Sequence, residues 1–488
     1  MPCTTILVGK KASNDGSTLM ARNEDSSAGF FTPKKFIVVN PGDQPGHYKS
    51  VLSSFEIDLP DDPMRYTAMP NALKDDGVWG EAGFNTANVA MSETETISSN
   101  IRVLGADPLV KSGIGEEDML TIVLPYIKSA REGVKRLGDL LTKYGTYEMN
   151  GIGFQDKDEI WWLETIGGHH WIAKRVPDDS YVVMPNQQGI DHFDLYDAFT
   201  CQKECMCSPD LIDFIEDNHL DLSVGESRLS ACRDFDTRAA FGSRDDFDHT
   251  YNTCRAWFML RHLNPRTYKW DGEDADFTPL SFDLPWSMLP EKKVTIEDIK
   301  YVLSSYYQGT EYDPYGRGDE KVKGKFRPIG INRNNFLAIT QIREYVPAEI
   351  SCIEWIAEGC NAFNTIIPFY ANIKDTPSYL RDTGKRVSTD SFYWVNRLIG
   401  VISDAHYQST ASCIESYQNF FTAACAAKLL ESDRKYISEK PEDVCAYLED
   451  ANEKMAAFAK EKTDDLLSDV LFIGSNAMKN RFARGDNH

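Results

Sequence analysis

The amino-acid sequence predicts an α+β fold with a helical C-terminal part. Short apolar and β-branched runs recur between turn signals through the first two-thirds of the chain. After about residue 385, apolar residues instead follow the spacing of three and four that is typical of helices. The chain has 488 residues, of which 42% are hydrophobic and 26% charged, as in globular proteins with a packed core. Strands followed by helices favour a layered α+β arrangement.

The first element predicted is a β-hairpin. Its parts are the strand 4–9, the turn signal Ser-Asn-Asp-Gly at 13–16 and the returning strand 17–22. If the turn is centred on residues 14 and 15, antiparallel pairing puts Cys3 opposite roughly residue 26. Arg22 and Asp25 are therefore expected to return to the neighbourhood of Cys3.

The elements that follow are predicted from the same signals. Strands are expected at 35–40, 87–92, 159–164 and 181–185, and a helical stretch at 116–144 with a break at Pro125. Thr295 and Asp298 have the spacing of a capping box, which opens a helix running to about Tyr306. Polar loops are predicted at 233–250, 268–278 and 309–328, and C-terminal helices at 414–430 and 441–471.

Charge and cysteine content limit the partners. The 52 Lys and Arg against 75 Asp and Glu give a formal net charge of −23, which repels nucleic acid and anionic membranes. We see no secretory signal and no run of the ~20 apolar residues that a membrane span needs. Eleven scattered cysteines, an odd number, favour reduced thiols and a cytoplasmic location. A homo-oligomer is compatible with a large acidic protein of this kind.

The sequence predicts neither a metal ion nor another cofactor. It contains no HExxH, no paired CxxC, no P-loop and no GxSxG motif. Cys201, Cys205 and Cys207 lie close together, but no second ligand cluster accompanies them. His169 and His170 are adjacent at a turn between two strands, where neighbouring side chains point opposite ways and do not easily share one metal.

Cys3 is the exception among residues that look structural. If Met1 and Pro2 are removed, its thiol and a free α-amino group belong to one residue. A free α-amino group has a pKa of ~7.7–8.0 and a thiol one of ~8.5, so near neutral pH the amine can take the thiol proton. Arg22 would favour the thiolate, and Asp25 could orient the α-ammonium group. The alternative is a charged pair at a strand end, which contributes little.

These residues carry a family resemblance. Cys3-Thr4 followed by Arg22-Asn23-Glu24-Asp25 resembles the start of mature N-terminal-nucleophile hydrolases of the choloylglycine hydrolase type. Over almost its whole length the chain is similar to the bacterial dipeptidase A family, to which the secernins are related. The matching stretches are 83–85, 89–94, 124–125, 130–134, 161–164, 168–171, 175–179, 251–255, 306–313 and 367–370.

The resemblance implies a fold and a set of roles. The fold is an αββα sandwich, with a propeptide at 1–2, a catalytic core at 3–345 and a mainly helical part at 346–488 packed on that core. Cys3 would be the nucleophile and its amine the base, supported by Arg22 and Asp25. Asn186, at the end of a strand, would be the oxyanion-hole asparagine. Arg255 would be a second active-site arginine, which we expect to face the acyl site or the substrate carboxylate.

The activity implied is hydrolysis of dipeptides, or small peptides, through an acyl-thioester on Cys3, without a cofactor. The second oxyanion asparagine of the choloylglycine enzymes has no clear counterpart, because the aligned region reads Glu93-Thr94. That difference argues against bile-salt hydrolysis. Two alternatives remain open: an amidase of the same fold acting on a bile-salt or penicillin amide, and a non-catalytic binding protein that keeps Pro2 in front of Cys3.

Overall fold

The computed structural model describes residues 3–73, 77–95, 97–224 and 228–478. The predicted propeptide, residues 1–2, lies outside this range. The strands are β1 (Cys3–Val8), β2 (Thr18–Asp25), β3 (Ile37–Val39), β4 (His47–Lys49), β5 (Glu56–Asp58), β6 (Tyr66–Ala68), β7 (Ala82–Phe84), β8 (Ala90–Glu95), β9 (Asn150–Gln155), β10 (Ile160–Ile166), β11 (His170–Arg175), β12 (Tyr181–Met184), β13 (Cys205–Cys207), β14 (Ser287–Met288), β15 (Asn334–Ile342), β16 (Cys352–Glu358) and β17 (Ile367–Tyr370).

The helices are α1 (Ile101–Ala106), α2 (Glu116–Val123), α3 (Ala130–Tyr144), α4 (Leu195–Ala198), α5 (Leu211–Asp217), α6 (Thr237–Phe241), α7 (Asp246–Asp248), α8 (Cys254–Leu263), α9 (Ile296–Leu303), α10 (Ser378–Arg381), α11 (Phe392–Ala405), α12 (Tyr407–Glu439) and α13 (Val444–Asn476). A π-helical turn, His249–Thr253, leads directly into α8.

Two antiparallel sheets form the centre of the molecule. The seven-stranded sheet has the order β14-β12-β1-β2-β15-β16-β17, and the six-stranded sheet has the order β13-β11-β10-β9-β8-β7. The N-terminal strand β1 lies inside its sheet, between β12 and β2. The sheets face each other where β1 and β2 contact β8 and β9.

Helices cover the outer faces of both sheets. On the six-stranded sheet, α2 packs on β8 and α3 packs on β9, β10 and β11. On the seven-stranded sheet, α8 packs on β12, α9 on β1 and β2, and α11–α13 on the β16–β17 end. The predicted αββα sandwich is therefore confirmed.

Side-chain alternation along the strands separates the layers of the core. In β10, Trp161 packs with the helical layer of α3, whereas Trp162 packs between the sheets. In β1, Leu7 joins the inter-sheet cluster and Ile6 joins the cluster around Trp257 of α8. Successive strand residues point to opposite faces, so the odd-numbered residues of β1, including Cys3, face the space between the sheets.

The predicted hairpin forms, with a different register. Cys3 pairs with Glu24 rather than with residue 26. The turn is centred between residues 13 and 14, one residue earlier than predicted. Ser13 fixes it there, because its amide donates to the Gly9 carbonyl and its hydroxyl to the Ser17 carbonyl. The register still brings the end of β2 to Cys3.

Three helical features agree with the sequence. The stretch 116–144 divides at a 3₁₀ turn that contains Pro125. Thr295 and Asp298 form the predicted capping box. The helix they open ends at Leu303 rather than near Tyr306, since Ser304 caps it and Tyr307 has a φ of 63°.

The prediction of a loop over 233–250 is wrong. This segment contains α6, α7 and the start of the π turn. Two of its aspartates are helix caps: Asp236 accepts a hydrogen bond from Ala239 N at 2.8 Å, and Asp245 from Asp248 N at 3.0 Å. Asp favours N-caps as well as loops, so composition alone did not separate the two.

The predicted boundary at residue 345 falls inside the seven-stranded sheet. β15 ends before it and β16 begins after it, and the two pair from Phe336 with Glu358 to Ile342 with Cys352. By strand pairing, β16 and β17 thus belong with the core. The helices of the C-terminal part begin at α10.

Candidate active site

Cys3 is the first residue of β1, and its side chain is fully buried between the sheets. Its partner across the hairpin is Glu24, and Arg22 lies opposite Thr5 on the same face. The Arg22 guanidinium consequently reaches the thiol, with Nη2 2.6 Å from Cys3 Sγ. A cation in this position stabilises a thiolate.

Arg22 is itself held by two buried carboxylates. Nη2 also donates to Glu116 Oε1 at 3.1 Å, and Nη1 donates to Glu81 Oε2. Burial raises the pKa of the Cys3 thiol to about 12, against the opposing effect of Arg22 and with a further contribution from Glu116. In the chain with residues 1–2 attached, the thiol is therefore protonated at neutral pH.

The backbone nitrogen of Cys3 is held by a second set of residues. It donates to Asn186 Oδ1 at 3.1 Å, and Arg255 Nη2 donates to the same oxygen at 2.7 Å. Asn186 follows β12, the other neighbour of β1. Asn186 Oδ1 is therefore bound by both donors, while the predicted oxyanion role of its side-chain NH2 stays a prediction.

Arg255, on the first turn of α8, differs from the expectation. It was predicted to face the acyl site or a substrate carboxylate, but its donors bind protein acceptors on the backbone side of Cys3. These acceptors are Tyr251 O at 2.7 Å, Cys3 O, Thr4 Oγ1 at 2.7 Å, Asn186 Oδ1 at 2.7 Å and Asn252 Oδ1 at 2.6 Å. Arg255 thus positions Cys3 and Asn186.

Asp25 ends β2 on the opposite face of that strand from Arg22. Its carboxylate accepts hydrogen bonds from Arg327 Nη2 and Asn334 Nδ2. Burial and the nearby Arg333 lower the pKa of Arg327 to about 9, against the opposing effect of Cys3. Asp25 therefore belongs to the buried network beside Cys3, while its predicted role toward the α-ammonium group stays a prediction.

Sequence reasoning missed a set of buried charges on the thiol side of the site. All have fully buried side chains, and they are Glu24, Lys34, Glu81, Glu93 and Glu116. Lys34 Nζ lies 2.6 Å from Glu24 Oε2 and 3.3 Å from Glu81 Oε1. Glu24 had a sequence signal, since it stands in the Arg-Asn-Glu-Asp motif. Glu93 stands in the stretch 89–94 that matches the family, whereas Lys34, Glu81 and Glu116 come from separate parts of the chain without a shared motif.

Three of these carboxyl groups approach one another closely. The ligand oxygens of Glu81, Glu93 and Glu116 lie within 4.8 Å of one another, a geometry that could hold a metal ion. The sequence predicted no metal site, and it did not single out this group of three.

The three neighbouring cysteines differ in burial. Cys201 is exposed, whereas Cys205 and Cys207 are buried in β13.

His169 and His170 converge, contrary to the prediction that their rings point apart. Nδ1 of His169 lies 2.8 Å from Asp107 Oδ1, and Nδ1 of His170 lies 2.7 Å from Asp107 Oδ2. The reason is the turn between β10 and β11, where Gly167 has a φ of 58° and strand alternation is lost. These contacts lower the pKa of Asp107 against its burial, to about 2.

An N-terminal strand inside an αββα sandwich, with a cysteine at its start and an arginine on the thiol, defines the class of N-terminal-nucleophile hydrolases. The model of peptidase family C69 matches residues 2–419, and the chain belongs to this family. It is thus a peptidase, an enzyme that hydrolyses peptide bonds.

Individual proteins are similar over the full length. A dipeptidase of Bifidobacterium longum is 52% identical, with 100% of both chains covered. Dipeptidase A of Lactobacillus helveticus is 42% identical, with 98% of this chain and 97% of that protein covered. The resemblance to the dipeptidase A family is therefore confirmed. Among solved structures, penicillin V acylase of Agrobacterium tumefaciens aligns with 78% of this chain and 89% of its own, at 13% identity and a TM-score of 0.32.

Within the described part of the chain, none of the helices combines the length and the apolar character that crossing a membrane requires.

Proposed function

We propose that this protein hydrolyses dipeptides through an acyl-thioester on Cys3, after residues 1–2 have been removed. The observation that carries the proposal is that the thiol and the backbone nitrogen of Cys3 are each held by a different residue. Arg22 contacts the thiol at 2.6 Å, while Asn186 accepts a hydrogen bond from the backbone nitrogen at 3.1 Å. Once that nitrogen is a free amine, nucleophile and base belong to one residue in a fixed orientation.

In the first half of the reaction, the amine takes the proton from Cys3 Sγ, and the thiolate attacks the carbonyl carbon of the peptide bond. The Asn186 side-chain NH2 donates to the oxyanion that forms. The ammonium group then returns the proton to the nitrogen of the leaving amino acid, and the C–N bond breaks. The N-terminal residue of the substrate stays on Cys3 as a thioester.

In the second half, the amine takes a proton from water, and the hydroxide attacks the thioester carbonyl. The C–S bond breaks, the N-terminal amino acid of the substrate leaves as its acid, and the proton returns to Cys3 Sγ. Arg255 keeps the carbonyl of Cys3, the Thr4 hydroxyl and Asn186 in one arrangement throughout.

Removal of residues 1–2 is the activating step in this proposal. With those residues attached, the nitrogen of Cys3 is an amide that cannot act as a base. The thiol has a pKa raised to about 12, mainly by burial, so it is not a nucleophile at neutral pH either. Once the α-amino group is free, its ammonium form beside Sγ favours the thiolate, and its neutral amine form accepts the thiol proton.

The names of the full-length relatives support dipeptides as the substrates. We also propose a cytoplasmic location, with small peptides rather than nucleic acid or membranes as partners. The eleven free cysteines and the net charge of −23 support this part of the proposal.

The test combines intact mass with activity. The purified active protein is expected to lack Met1 and Pro2, and Cys3→Ala is expected to abolish dipeptide hydrolysis with the fold intact. Cys3→Ser is expected to leave a small residual activity at most. Cys207→Ala is the matched control, because Cys207 is also a buried strand cysteine but lies in β13, away from Arg22.

Hydrolysis at the normal rate by Cys3→Ala would overturn the proposal. So would full activity of a protein whose measured mass retains residues 1–2, because its Cys3 nitrogen is not an amine. A protein that retains these residues and is inactive toward dipeptides would support the non-catalytic alternative.

A further inference from the structure

The buried charges around Arg22 are unevenly paired. Glu24 contacts Lys34, Glu81 contacts both Lys34 and Arg22, and Glu116 contacts Arg22. Glu93, on β8, has no ion pair with a described residue, although its side chain is 0% exposed. A fully buried carboxylate without a cation is costly, so Glu93 needs a reason to be in the core.

Neither carboxylate oxygen of Glu93 has a hydrogen-bond partner among the described side chains. The chain brings this residue to the other carboxylates by a backbone contact, since Glu93 N donates to Glu81 O at 3.0 Å. Burial, together with Glu81 and Glu116, raises the pKa of Glu93 well above its ordinary value, against the smaller opposing effects of Arg22 and of a hydrogen bond with the Leu120 backbone. Without a cation, Glu93 is accordingly a neutral acid that faces two other carboxyl groups.

The cluster formed by Glu81, Glu93 and Glu116 lies next to Cys3, the proposed nucleophile. Glu116 Oε1 and Cys3 Sγ accept hydrogen bonds from the same nitrogen, Arg22 Nη2. In a dipeptide, the ammonium nitrogen and the attacked carbonyl carbon are separated by a single Cα, a distance of about 2.5 Å. Whatever binds the ammonium group must therefore lie immediately beside Cys3.

The two sides of Cys3 offer opposite chemistry. Asn186, held by Arg255, lies on the backbone side, where its side-chain NH2 is proposed to donate to the oxyanion. Glu81, Glu93 and Glu116 present acceptors on the thiol side, with oxygens within 4.8 Å of one another. An ammonium group has three N–H donors and one positive charge, which matches three acceptors and one carboxylate without a cation.

We propose that Glu81, Glu93 and Glu116 form the subsite for the α-ammonium group of the substrate, with Glu93 as its carboxylate partner. This inference rests on the proposed dipeptidase function. It makes substrates with a free amino terminus strongly preferred in turnover, because an N-acylated peptide or a deaminated analogue would leave Glu93 without its cation.

The test compares Glu93→Gln with wild type on two substrates, L-Ala-L-Ala and propionyl-L-Ala, which differ by the amino group alone. We expect Glu93→Gln to lose about 10- to 100-fold in kcat/KM on L-Ala-L-Ala, the range of a hydrogen bond to a charged group. The kcat/KM on propionyl-L-Ala is expected to change little. The ratio of the two kcat/KM values, which measures the preference for the free amino group, therefore falls.

Glu354→Gln is the matched control. Glu354 is also a fully buried glutamate with neither carboxylate oxygen hydrogen-bonded, but it lies on β16 and contacts none of the site residues named above. It is expected to keep the wild-type preference. The rate of Cys3 alkylation by iodoacetamide is expected to be the same in Glu93→Gln and wild type, since Glu93 is neutral before substrate binds.

A second measurement uses wild type alone, in case Glu93→Gln does not fold. L-Alaninamide, which carries the ammonium group, is expected to protect Cys3 from iodoacetamide at concentrations where propionamide does not. Equal protection by both compounds would overturn the inference.

Other outcomes separate this inference from the proposed function. An unchanged preference in folded Glu93→Gln overturns the ammonium subsite while dipeptide hydrolysis stands. No hydrolysis of L-Ala-L-Ala by mature wild type overturns the proposed function itself. Activity that is lost on chelation and restored by a divalent cation assigns the three carboxylates to a metal and overturns the subsite.

Discussion

At the scale of single residues, Arg22 and Arg255 hold different parts of Cys3. Arg22 binds the thiol, whereas Arg255 binds the backbone carbonyl of Cys3 and the asparagine that faces its nitrogen. Both arginines are fully buried. One of them can therefore change the charge state of the sulfur, and the other can change its position.

Replacing Arg22 separates these roles. Arg22→Gln removes the cation 2.6 Å from Sγ, so the thiol pKa should rise and the pH profile of Cys3 alkylation should move to higher pH. If the profile moves up by one pH unit, the thiolate fraction at a given pH below the thiol pKa is tenfold lower. This corresponds to a loss of about 1.4 kcal/mol in the stabilisation of the thiolate relative to the thiol. Alkylation rates of the mature enzyme without substrate, measured from pH 6 to pH 10, give the profile.

Arg255→Gln is the comparison for this experiment. It is expected to reduce dipeptide turnover by displacing Asn186, while its alkylation profile stays much closer to that of wild type. Superimposable profiles for wild type and Arg22→Gln would remove Arg22 from the activation of the thiol.

A second prediction at this scale concerns Glu354. Burial raises its pKa to about 8. The folded protein therefore keeps a proton that the unfolded chain releases above about pH 4.3, and stability falls as pH rises from there to about 8. Glu354→Gln removes this loss. Its free energy of unfolding should exceed that of wild type by an amount that grows with pH, on the order of 3 kcal/mol at pH 7.

Urea unfolding at pH 5, 6, 7 and 8 measures that difference. The exposed Glu349 is the control, since Glu349→Gln should change stability by less than about 0.5 kcal/mol at each pH. A Glu354→Gln difference that does not vary with pH would mean that this carboxyl group is not protonated in the folded state.

The residues of the site differ in how far the sequence could indicate them. Cys3 and Arg22 follow from hairpin pairing, because a short turn fixes which residues meet. Glu81 and Glu93 enter from another sheet, and Glu116 enters at the start of α2. No local spacing connects these three with Cys3, so their meeting depends on how the two sheets pack.

At the scale of elements, β7 approaches β6 more closely than a side chain allows. A Cβ on Gly83 would lie 1.7 Å from the Thr67 carbonyl oxygen. The neighbouring Phe84 amide donates to Thr67 Oγ1 at 2.8 Å, which fixes the two strands together. β7 begins directly after Glu81, so this contact also determines where Glu81 meets Arg22.

Gly83→Ala is expected to separate β7 from β6. The free energy of unfolding should fall by about 1–3 kcal/mol, as in other overpacked sites, and dipeptide turnover should fall with it because Glu81 moves. The control is Gly105→Ala in α1, where an added Cβ meets no atom within 4 Å. It should stabilise the protein by up to about 1 kcal/mol. A Gly83→Ala protein as stable and active as wild type would contradict the close approach.

Elements with local signals were predictable, and those that depend on distant partners were not. The hairpin, the break at Pro125 and the capping box at Thr295 were each predicted from a signal of no more than four consecutive residues. The short helices α6 and α7 were missed because their capping aspartates have the composition of a loop. The strands β16 and β17 were missed because their partners are strands of a sheet that begins at residue 3.

At the scale of the whole molecule, a buried ion pair joins the long C-terminal helices to the core. Arg343, just after β15, donates to both carboxylate oxygens of Asp433 on α12, at 2.6 and 3.2 Å. The Tyr370 hydroxyl, at the end of β17, donates to the same carboxylate at 2.7 Å. One aspartate thereby connects α12 to two strands of the seven-stranded sheet.

Asp433→Ala leaves the Arg343 cation buried without its partner. The free energy of unfolding should fall by about 3–5 kcal/mol, whereas Arg343→Met combined with Asp433→Leu should recover most of the loss. Urea unfolding is followed by tryptophan fluorescence and by activity. The two probes should shift together if the helices and the core unfold as one unit. A shift confined to one probe would support a separate C-terminal unit, as the predicted division at residue 345 implies.

The interior position of β1 has a consequence for the timing of biosynthesis. The hydrogen bonds of Cys3 to Asn186 and Arg255 span 183 and 252 positions of the chain. At roughly 5–20 residues per second on the ribosome, Cys3 emerges long before either partner, and before β15 has been made to complete the other side of β2. The thiol of Cys3 is thus made well before the residues that hold it in place. If Cys3 is the nucleophile as proposed, we expect the growing chain to hydrolyse no peptides until these partners have been made and the two sheets have packed together.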